Sequence, residues 1–519
     1  MKTRISIIAA LLAGVVPAVA QETYENANIA TEDLNGTARY VGMGGALDAL
    51  GADISTIGTN PAGIGLFRRS SVSTSFGFVS QEGATEFANG NKTNMSFDQI
   101  GLVWSTRLGR SSFVNFAFNY HKSRNFDYIL NAAGDLGGDK SQNQASYNKG
   151  AQADYEGWDI FNDNAFSQLD ELYYGAVLGY VSAVNPDVND YYCYPSTGYD
   201  MGRVNTGYIG EYDFNISGNV NDRVYLGLTI GVHDVHYKGY SLYNETLADN
   251  MDGLGRVQVE DSRAITGTGY DMKAGVIFRP MAESPFRIGL SIATPTFYDL
   301  TTSNYTALYV DGNGADGRTR GSLASSDITN SYDFKLYTPW KFGLSLGHTI
   351  GNYLALGASY EYADYGSVDN RVNNGNDWDW DESDADMPMN RHTEQTQKGV
   401  STLKVGGEFK ADANLAVRLG FNYVSPMYNK NGMKDGMLDS YGISYQSATD
   451  YTNWKDTYRV TAGLGYRWDK FSLDVAYQYS QTNGDFRPFS DVVDAGNMPA
   501  SVEVSNKRHQ MICTLGYTF

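Results

Sequence analysis

The chain has 519 residues, 42% hydrophobic and 13% aromatic, with 57 Gly and 39 Tyr. Its formal charge of -20 excludes nucleic acid as a partner, because a polyanion repels phosphate. The two cysteines sit in unlike settings, Cys193 in a long polar stretch and Cys513 on a strand face, which excludes a disulfide scaffold.

Residues 1–20 read as a cleaved export signal. Lys2 and Arg4 precede an apolar run from Ile5 to Val16, and Ala18-Val19-Ala20 supplies the small residues of a cleavage site. The mature chain is expected to begin at Gln21. No later run of eighteen apolar residues remains for a membrane-crossing helix. A mean hydropathy of -0.39 is compatible with a membrane barrel, in which only alternate strand residues meet lipid.

Residues 21–70 show no strand alternation. They contain Gly42-Met43-Gly44-Gly45-Ala46, then Ala52-Asp53 and Asn60-Pro61-Ala62-Gly63. Glycines at 42, 44, 45 and 51 let backbones approach closely, Asn60 before Pro61 favours extended geometry, and Gly63 suits a turn. So short a segment cannot support its own core, and its expected home is the bore of the barrel that follows.

From residue 71 the chain repeats a strand, a short turn, a strand and a long polar loop. About fourteen strands are expected, near 71–80, 96–107, 111–125, 203–219, 222–241, 263–280, 285–302, 331–349, 352–367, 397–410, 414–427, 456–468, 471–481 and 507–519. The alternation is clean where Tyr458, Val460, Ala462, Leu464, Tyr466 and Trp468 oppose Arg459, Thr461, Gly463, Gly465 and Arg467. A soluble sandwich would also alternate. Strand length, aromatics ending the apolar faces (Trp340, Tyr360, Tyr362, Trp468) and the strict alternation of short and long connections favour a transmembrane barrel. The last strand places Met511, Cys513, Leu515, Tyr517 and Phe519 on one face. Its terminal aromatic is similar to the signal read by barrel-assembly machinery in Gram-negative outer membranes. The expected fold is therefore all-β: an antiparallel transmembrane β-barrel of residues 71–519 with long outer loops and residues 21–70 in its lumen.

The long stretch 126–202 carries one helical pattern, Phe166, Leu169, Leu172, Tyr173, Val177, Tyr180 and Val181, ended by Asn185-Pro186. Such a helix either packs its loop onto the barrel or forms half of an apolar capture groove. Both readings stand at this point.

The glycine-rich run, Ala52-Asp53 and Asn60-Pro61-Ala62-Gly63 resemble the N-terminal hatch of FadL/TodX-type outer-membrane transporters of long-chain fatty acids and other hydrophobic compounds. Ala293-Thr294-Pro295 and Thr338-Pro339-Trp340-Lys341-Phe342-Gly343 resemble strand motifs of that family. The resemblance implies a monomeric passive channel set among outer-membrane lipids and lipopolysaccharide. A groove formed by Phe166, Leu169, Leu172, Tyr173 and Val177 would capture a hydrophobic small molecule. A hatch held by Gly42, Gly44, Gly45, Asp53, Asn60, Pro61, Ala62 and Gly63 would then move to release it through the barrel wall. One departure stands out: the third strand, where the family has a kink, contains no Gly between Ser111 and Asn125. A bulge near Ala117 or a different exit is expected.

Inward charges Arg287, Lys341, Glu361, Lys404, Glu408, Arg418, Arg459, Arg467 and Asp474 are expected to pair with one another and with Asp48 and Asp53. The acidic run Asp377, Asp379, Asp381, Asp384 and Asp386 and the turn of Asp311, Asn313 and Asp316 read as solvated loops. The six histidines show no metal-ligand spacing, and no cofactor is expected. His233 and His236 fall on opposite strand faces; His121 and His233 are the only candidates for a haem ligand. Without a G-x-S-x-G elbow or a nucleophile–base pair, no enzyme is expected. The competing function is a structural or surface-binding barrel, haem capture included, whose long loops engage an external partner.

Overall fold

The computed structural model describes residues 22–156, 166–180, 191–248, 254–313, 319–373, 382–445, 448–492 and 496–519. The export signal, Val181, Asn185-Pro186, Asp316, Asp377, Asp379 and Asp381 lie outside the described residues.

Fourteen antiparallel strands close into a barrel. They are β1 (Ser71–Gln81), β2 (Thr93–Arg107), β3 (Phe113–Asn125), β4 (Ser196–Val220), β5 (Val224–Leu247), β6 (Leu254–Phe278), β7 (Arg287–Ala293), β8 (Lys341–Ile350), β9 (Leu354–Asp364), β10 (Gly399–Lys410), β11 (Leu415–Val424), β12 (Tyr451–Trp468), β13 (Phe471–Arg487) and β14 (Val502–Thr518). Each pairs with the next, and β14 closes onto β1 from Ser71↔Thr518 to Gln81↔Arg508. Closure gives every strand two neighbours, so no edge strand remains in this wall. The period-two pattern has its expected cause: Phe116, Phe214, Leu226, Leu344, Leu419 and Val460 are exposed on the outside, while the residues between them point into the bore.

Several strands run far past the apolar belt at the long-loop end. Phe297–Asn313 and Thr319–Tyr337 form a hairpin above β7 and β8, where residues 303–330 were expected to be a loop. Pro295 and Pro339 mark the junctions, since neither can donate to a ladder. The stretch 126–202 likewise contains a strand extension, Tyr128–Lys140, and a helix, α3 (Gln142–Glu156), that has no apolar stripe to betray it. Helix α4 covers Gln168–Ala176, capped by a reciprocal Ser167–Asp170 box.

The N-terminal segment opens with α1 (Thr23–Ala30) and α2 (Ala38–Gly42) and continues through single 3₁₀ turns at Ile54–Gly58 and Pro61–Leu66. Inward side chains all round the wall satisfy its backbone groups, as buried peptide groups require. Ala38 N donates to Thr514 Oγ1 (2.7 Å), Arg287 Nη1 to the Leu50 carbonyl (2.9 Å), Thr229 Oγ1 to the Ile57 carbonyl (3.1 Å) and Ser217 Oγ to the Pro61 carbonyl (2.9 Å). The segment thus lies across the bore. Both cysteines are free.

A cap closes the long-loop end. Helix α4 and the strand extensions share an apolar cluster, and Lys149 donates to Asp170 beneath it at 2.7 Å, both side chains buried. Glu245 lies on β5 well past Ile230, the last exposed apolar residue of that strand. It accepts from Gln142 N at 2.9 Å and from the Tyr243 hydroxyl at 3.1 Å. Burial pushes its carboxyl from 4.5 up to about 7. A raised carboxyl value means that the folded cap prefers the protonated acid. That stabilisation is complete below 4.5 and is lost as pH rises through about 7. Hydrogen exchange in α3, corrected for intrinsic rates, should therefore accelerate as pH rises from 4.5 to about 7 and level off above it. Glu245→Gln should abolish that pH dependence; its persistence in the variant would assign it to another group.

Candidate functional site: a bore cavity beside an unzipped wall seam

Glycine places the N-terminal segment against the wall. Gly44 and Gly45 have φ of +64° and +81°, which L side chains rarely adopt. A Cβ on Gly44 would come within 2.8 Å of Phe421 N, and one on Gly42 within 3.2 Å of Gly463 Cα. The wall answers with its own glycines: a Cβ on Gly406 would lie 2.9 Å from the Met43 carbonyl carbon, and those on Gly227 and Gly275 would run into Pro61 and Asn60. Asp53 accepts from Thr37 Oγ1 (2.8 Å) and Ser55 N (3.0 Å), tying two turns together. Asn60 is fully buried and caps the Pro61–Leu66 turn through Ala62 N. Gly63 packs against Thr56 and Gly51. Gly42, Gly44, Gly45, Asn60, Pro61 and Ala62 thus meet the wall, whereas Asp53 and Gly63 hold turns within the segment.

Between the segment and the long-loop end lies a cavity of about 370 Å³. Tyr24, Leu34, Phe126, Tyr128, Tyr428 and Trp454 line it together with the charged Glu32, Asp33, Lys122, Arg124, Arg459 and Arg508. Most inward charges pair, as expected. Glu408 accepts from Arg39 Nε (3.0 Å) and Arg418 Nε (2.6 Å), and Arg418 Nη1 reaches Asp474 at 2.6 Å. Lys404 lies 3.6 Å from Glu361 and 3.9 Å from Asp48, and Lys341 binds Glu32. Arg459 donates to Asn422 Oδ1 at 2.8 Å. Two depart from the expectation: Arg287 donates to the Leu50 carbonyl rather than to a carboxylate, and Arg467 is exposed at the short-turn end of β12.

The wall next to the cavity is not fully zipped. The β2–β3 ladder runs from Arg107↔Phe113 to Gln99↔His121 and ends there. The β1–β2 register shifts at Ser75/Phe76, leaving Asp98 as the extra residue, and the β3–β4 register shifts at Lys122/Arg124. Ala117 itself is in register with Val103 and Asn215, so the irregularity lies near Ser123 and needs no glycine. Side chains, and one backbone N–H of the N-terminal segment, replace the missing rungs. Asn35 Nδ2 donates to Asp98 Oδ1 (3.1 Å) and the Lys122 carbonyl (3.0 Å), and Lys122 Nζ to Ser96 Oγ (2.8 Å). Asp33 N donates to the Ser123 carbonyl (2.8 Å), and Asn125 N to Asp33 Oδ2 (2.9 Å). Gln81 pairs with both backbone groups of Ile129 at 2.8 Å.

The fold also assembles a cluster that spacing could not reveal. His121, Glu211, Asp213, His233, Asp271 and Lys273 converge from β3, β4, β5 and β6. Two triads, His121–Glu211–Asp213 and Glu211–His233–Asp271, have metal-compatible spacing. Lys273 already occupies the shared centre, binding Glu211 and lying 3.1 Å from Asp271 and 3.4 Å from Asp213. The ammonium supplies the cation that the carboxylates demand. The two histidines named as haem candidates are both committed to this network, whereas His236 lies on the opposite, exposed face.

Phe166, Leu169, Leu172, Tyr173 and Val177 are all buried. Leu169, Leu172, Tyr173 and Val177 pack with Leu130, Tyr199, Tyr243, Leu308 and Phe486, and none of the five lines the cavity. Asp384 lies in a short strand, and Asp386 caps helix α5 (Met387–Thr396) by accepting from Met389 N at 3.1 Å.

No protein-family model matches the chain, and no curated protein matches it. Solved structures do. A Pseudomonas aeruginosa FadL homologue aligns over 94% of this chain and 99% of its own, with 15% identity and a TM-score of 0.50. The Pseudomonas putida toluene transporter TodX aligns over 94% and 99%, with 11% identity and a TM-score of 0.48. The chain therefore has the fold of the FadL homologue along nearly its whole length.

Proposed function

We propose that this protein is an outer-membrane channel for passive uptake of a hydrophobic small molecule, a long-chain fatty acid or similar compound. The observation that carries the reading is the bore cavity, bordered by a glycine-seated N-terminal segment and by a seam where side chains and the Asp33 backbone N–H take the place of ladder rungs. Residues 21–70 act as the hatch, with Gly42, Gly44, Gly45, Asp53, Asn60, Pro61, Ala62 and Gly63 as its seat. Capture begins at the α4 cap, where Phe166, Leu169, Leu172, Tyr173 and Val177 offer apolar surface once the cap loosens. The β2–β3 seam is the lateral exit. An apolar molecule moving down its gradient into lipid needs no other energy source. The likeness to the FadL homologue supports this reading at the level of fold. Barrel assembly directed by Phe519 and a monomeric state belong to the same proposal.

The tight packing of α4 favours one competing reading, a surface-binding barrel with a permanently shut lumen. Mass spectrometry of small molecules extracted from the purified folded barrel separates the two. Uptake predicts an apolar compound that is enriched in the full chain and lost when residues 36–65 are deleted. A reproducibly empty barrel would favour the surface-binding alternative.

A further inference from the structure

The chain carries a formal charge of -20, yet its short-turn rim is basic. Lys410 ends β10, Arg467 lies one residue before the end of β12, and Lys470 sits in the β12–β13 turn. Arg69 precedes β1, Arg107 ends β2 and Arg110 follows in the β2–β3 turn. All six residues are exposed. The strands that carry them are neighbours, from β10 through β14 and on from β1 to β3, so they form one arc of the rim. Backbone bonds tie adjacent turns along it: Arg467 N donates to the Asn414 carbonyl (2.9 Å), Thr518 N to the Lys470 carbonyl (2.8 Å) and Phe519 N to the Ser70 carbonyl (3.0 Å). The acidic side chains on this arc are Asp412 and Asp469. Asp412 is engaged in its own turn, accepting from Asn414 N (2.6 Å) and Leu415 N (2.8 Å). Arg68 is paired with Asp222, whereas among the described residues none of the six cations makes an ion pair with a carboxylate. Arg107 turns its guanidinium to the Gly109 and Arg110 carbonyls, at 2.8 and 2.6 Å.

The same turns end the apolar belt in aromatic residues. Phe409 precedes Lys410, Trp468 follows Arg467, Phe471 follows Lys470 and Trp104 lies three residues before Arg107, all four exposed. Lys470 Nζ stands 5.9 Å from the centre of the Tyr517 ring. Aromatic rings favour the boundary between hydrocarbon and headgroup, and Lys and Arg beside them extend their charge to the headgroup phosphates. A guanidinium takes a phosphate through two hydrogen bonds, and a surface cation is drawn to an anionic headgroup. We propose that the rim from Lys410 round to Arg110 is a binding surface for anionic phospholipid, with headgroup phosphates of the adjoining leaflet on its cations. The occupant is lipid rather than an acidic protein because Lys410, Arg467, Lys470 and Arg107 alternate along the chain with rings on the outer face of the wall. Lipid already fills that place. The inference needs the apolar belt to sit in a bilayer and does not depend on what passes through the bore.

The test titrates delipidated, folded barrel in a neutral detergent with dioleoyl phosphatidylglycerol or dioleoyl phosphatidylcholine and counts bound lipids by native mass spectrometry. Wild type should bind the anionic lipid about fivefold more tightly at low ionic strength, and the ratio should fall as salt rises. Arg107→Gln, Arg110→Gln, Arg467→Gln and Lys470→Gln combined should bring the ratio close to one. Arg107→Lys, Arg110→Lys and Arg467→Lys combined should keep it well above one. Lys238→Gln with Arg256→Gln, exposed towards the long-loop end, should leave it unchanged. The gel-mobility shift of folded barrels confirms that each variant is assembled. A wild-type ratio near one would overturn the proposal, as would a preference for phosphatidylglycerol that survives the glutamine variant. Rim-dependent binding of poly-glutamate without any lipid preference would assign the surface to an acidic polypeptide and overturn the lipid occupant.

Discussion

Replacing Gly406 or Gly420 with valine is expected to turn a closed bore into a conducting one. A Cβ on Gly406 would sit 2.9 Å from the Met43 carbonyl carbon and 3.1 Å from Met43 Cα, and one on Gly420 would collide with Gly44 N. These neighbours are backbone, which cannot rotate aside as a side chain would. The wall strands are held by complete ladders: Gly406 faces Gly357 and Gly420, and Gly420 faces Thr461. The N-terminal segment rests on scattered single contacts, so it is the part that yields. Planar-bilayer recording should show a quiet wild type and persistent ionic current from either variant, with strand content by circular dichroism unchanged. A quiet valine variant that retains its fold would mean that the segment can rearrange without leaving the bore.

Arg418→Met is expected to destabilise the barrel strongly. Arg418 is 5% exposed and bridges Glu408 and Asp474, each at 2.6 Å. Removing it strands Asp474 without a close cation and leaves Glu408 to Arg39 alone. Breaking a buried ion pair by removing one partner costs about 3–5 kcal/mol, because the remaining charge stays desolvated. Urea unfolding in lipid vesicles should show a loss of that size. Arg418→Met with Glu408→Gln and Asp474→Asn should recover much of it. If the triple variant is no more stable than the single one, Arg418 contributes through packing rather than charge.

The strand pattern was readable wherever the wall separates an apolar exterior from a polar bore, because that contrast repeats every two residues. Tyr458 to Trp468 is the plainest example, with Val460 and Leu464 outside and Thr461 and Gly463 buried inside. Above the apolar belt both strand faces are polar and the signal vanishes. Ser303, Asn304, Tyr305 and Thr306 therefore read as a loop although they pair with Ser331, Asn330, Thr329 and Ile328. Helix α3 escaped notice for the same reason, since Gln142–Glu156 has no apolar face. The glycine and Asn-Pro-Ala-Gly motifs announced a segment needing close backbone approach, and the wall glycines opposite them explain why. The His121–Glu211–His233–Lys273 cluster and the Asp33 contacts at the seam lay beyond sequence reasoning. Alternation says which residues point inward but not at what height, so it cannot show which of them meet.

The proposed function is passage of an apolar molecule across a membrane that otherwise excludes it. Its most direct test is the transfer rate of a labelled long-chain fatty acid into vesicles whose outer leaflet is lipopolysaccharide, with and without the inserted protein. The account predicts a rate that rises with protein content, saturates with ligand and is indifferent to ionophores. A rate equal to that of protein-free vesicles, with correctly inserted barrel, would contradict it.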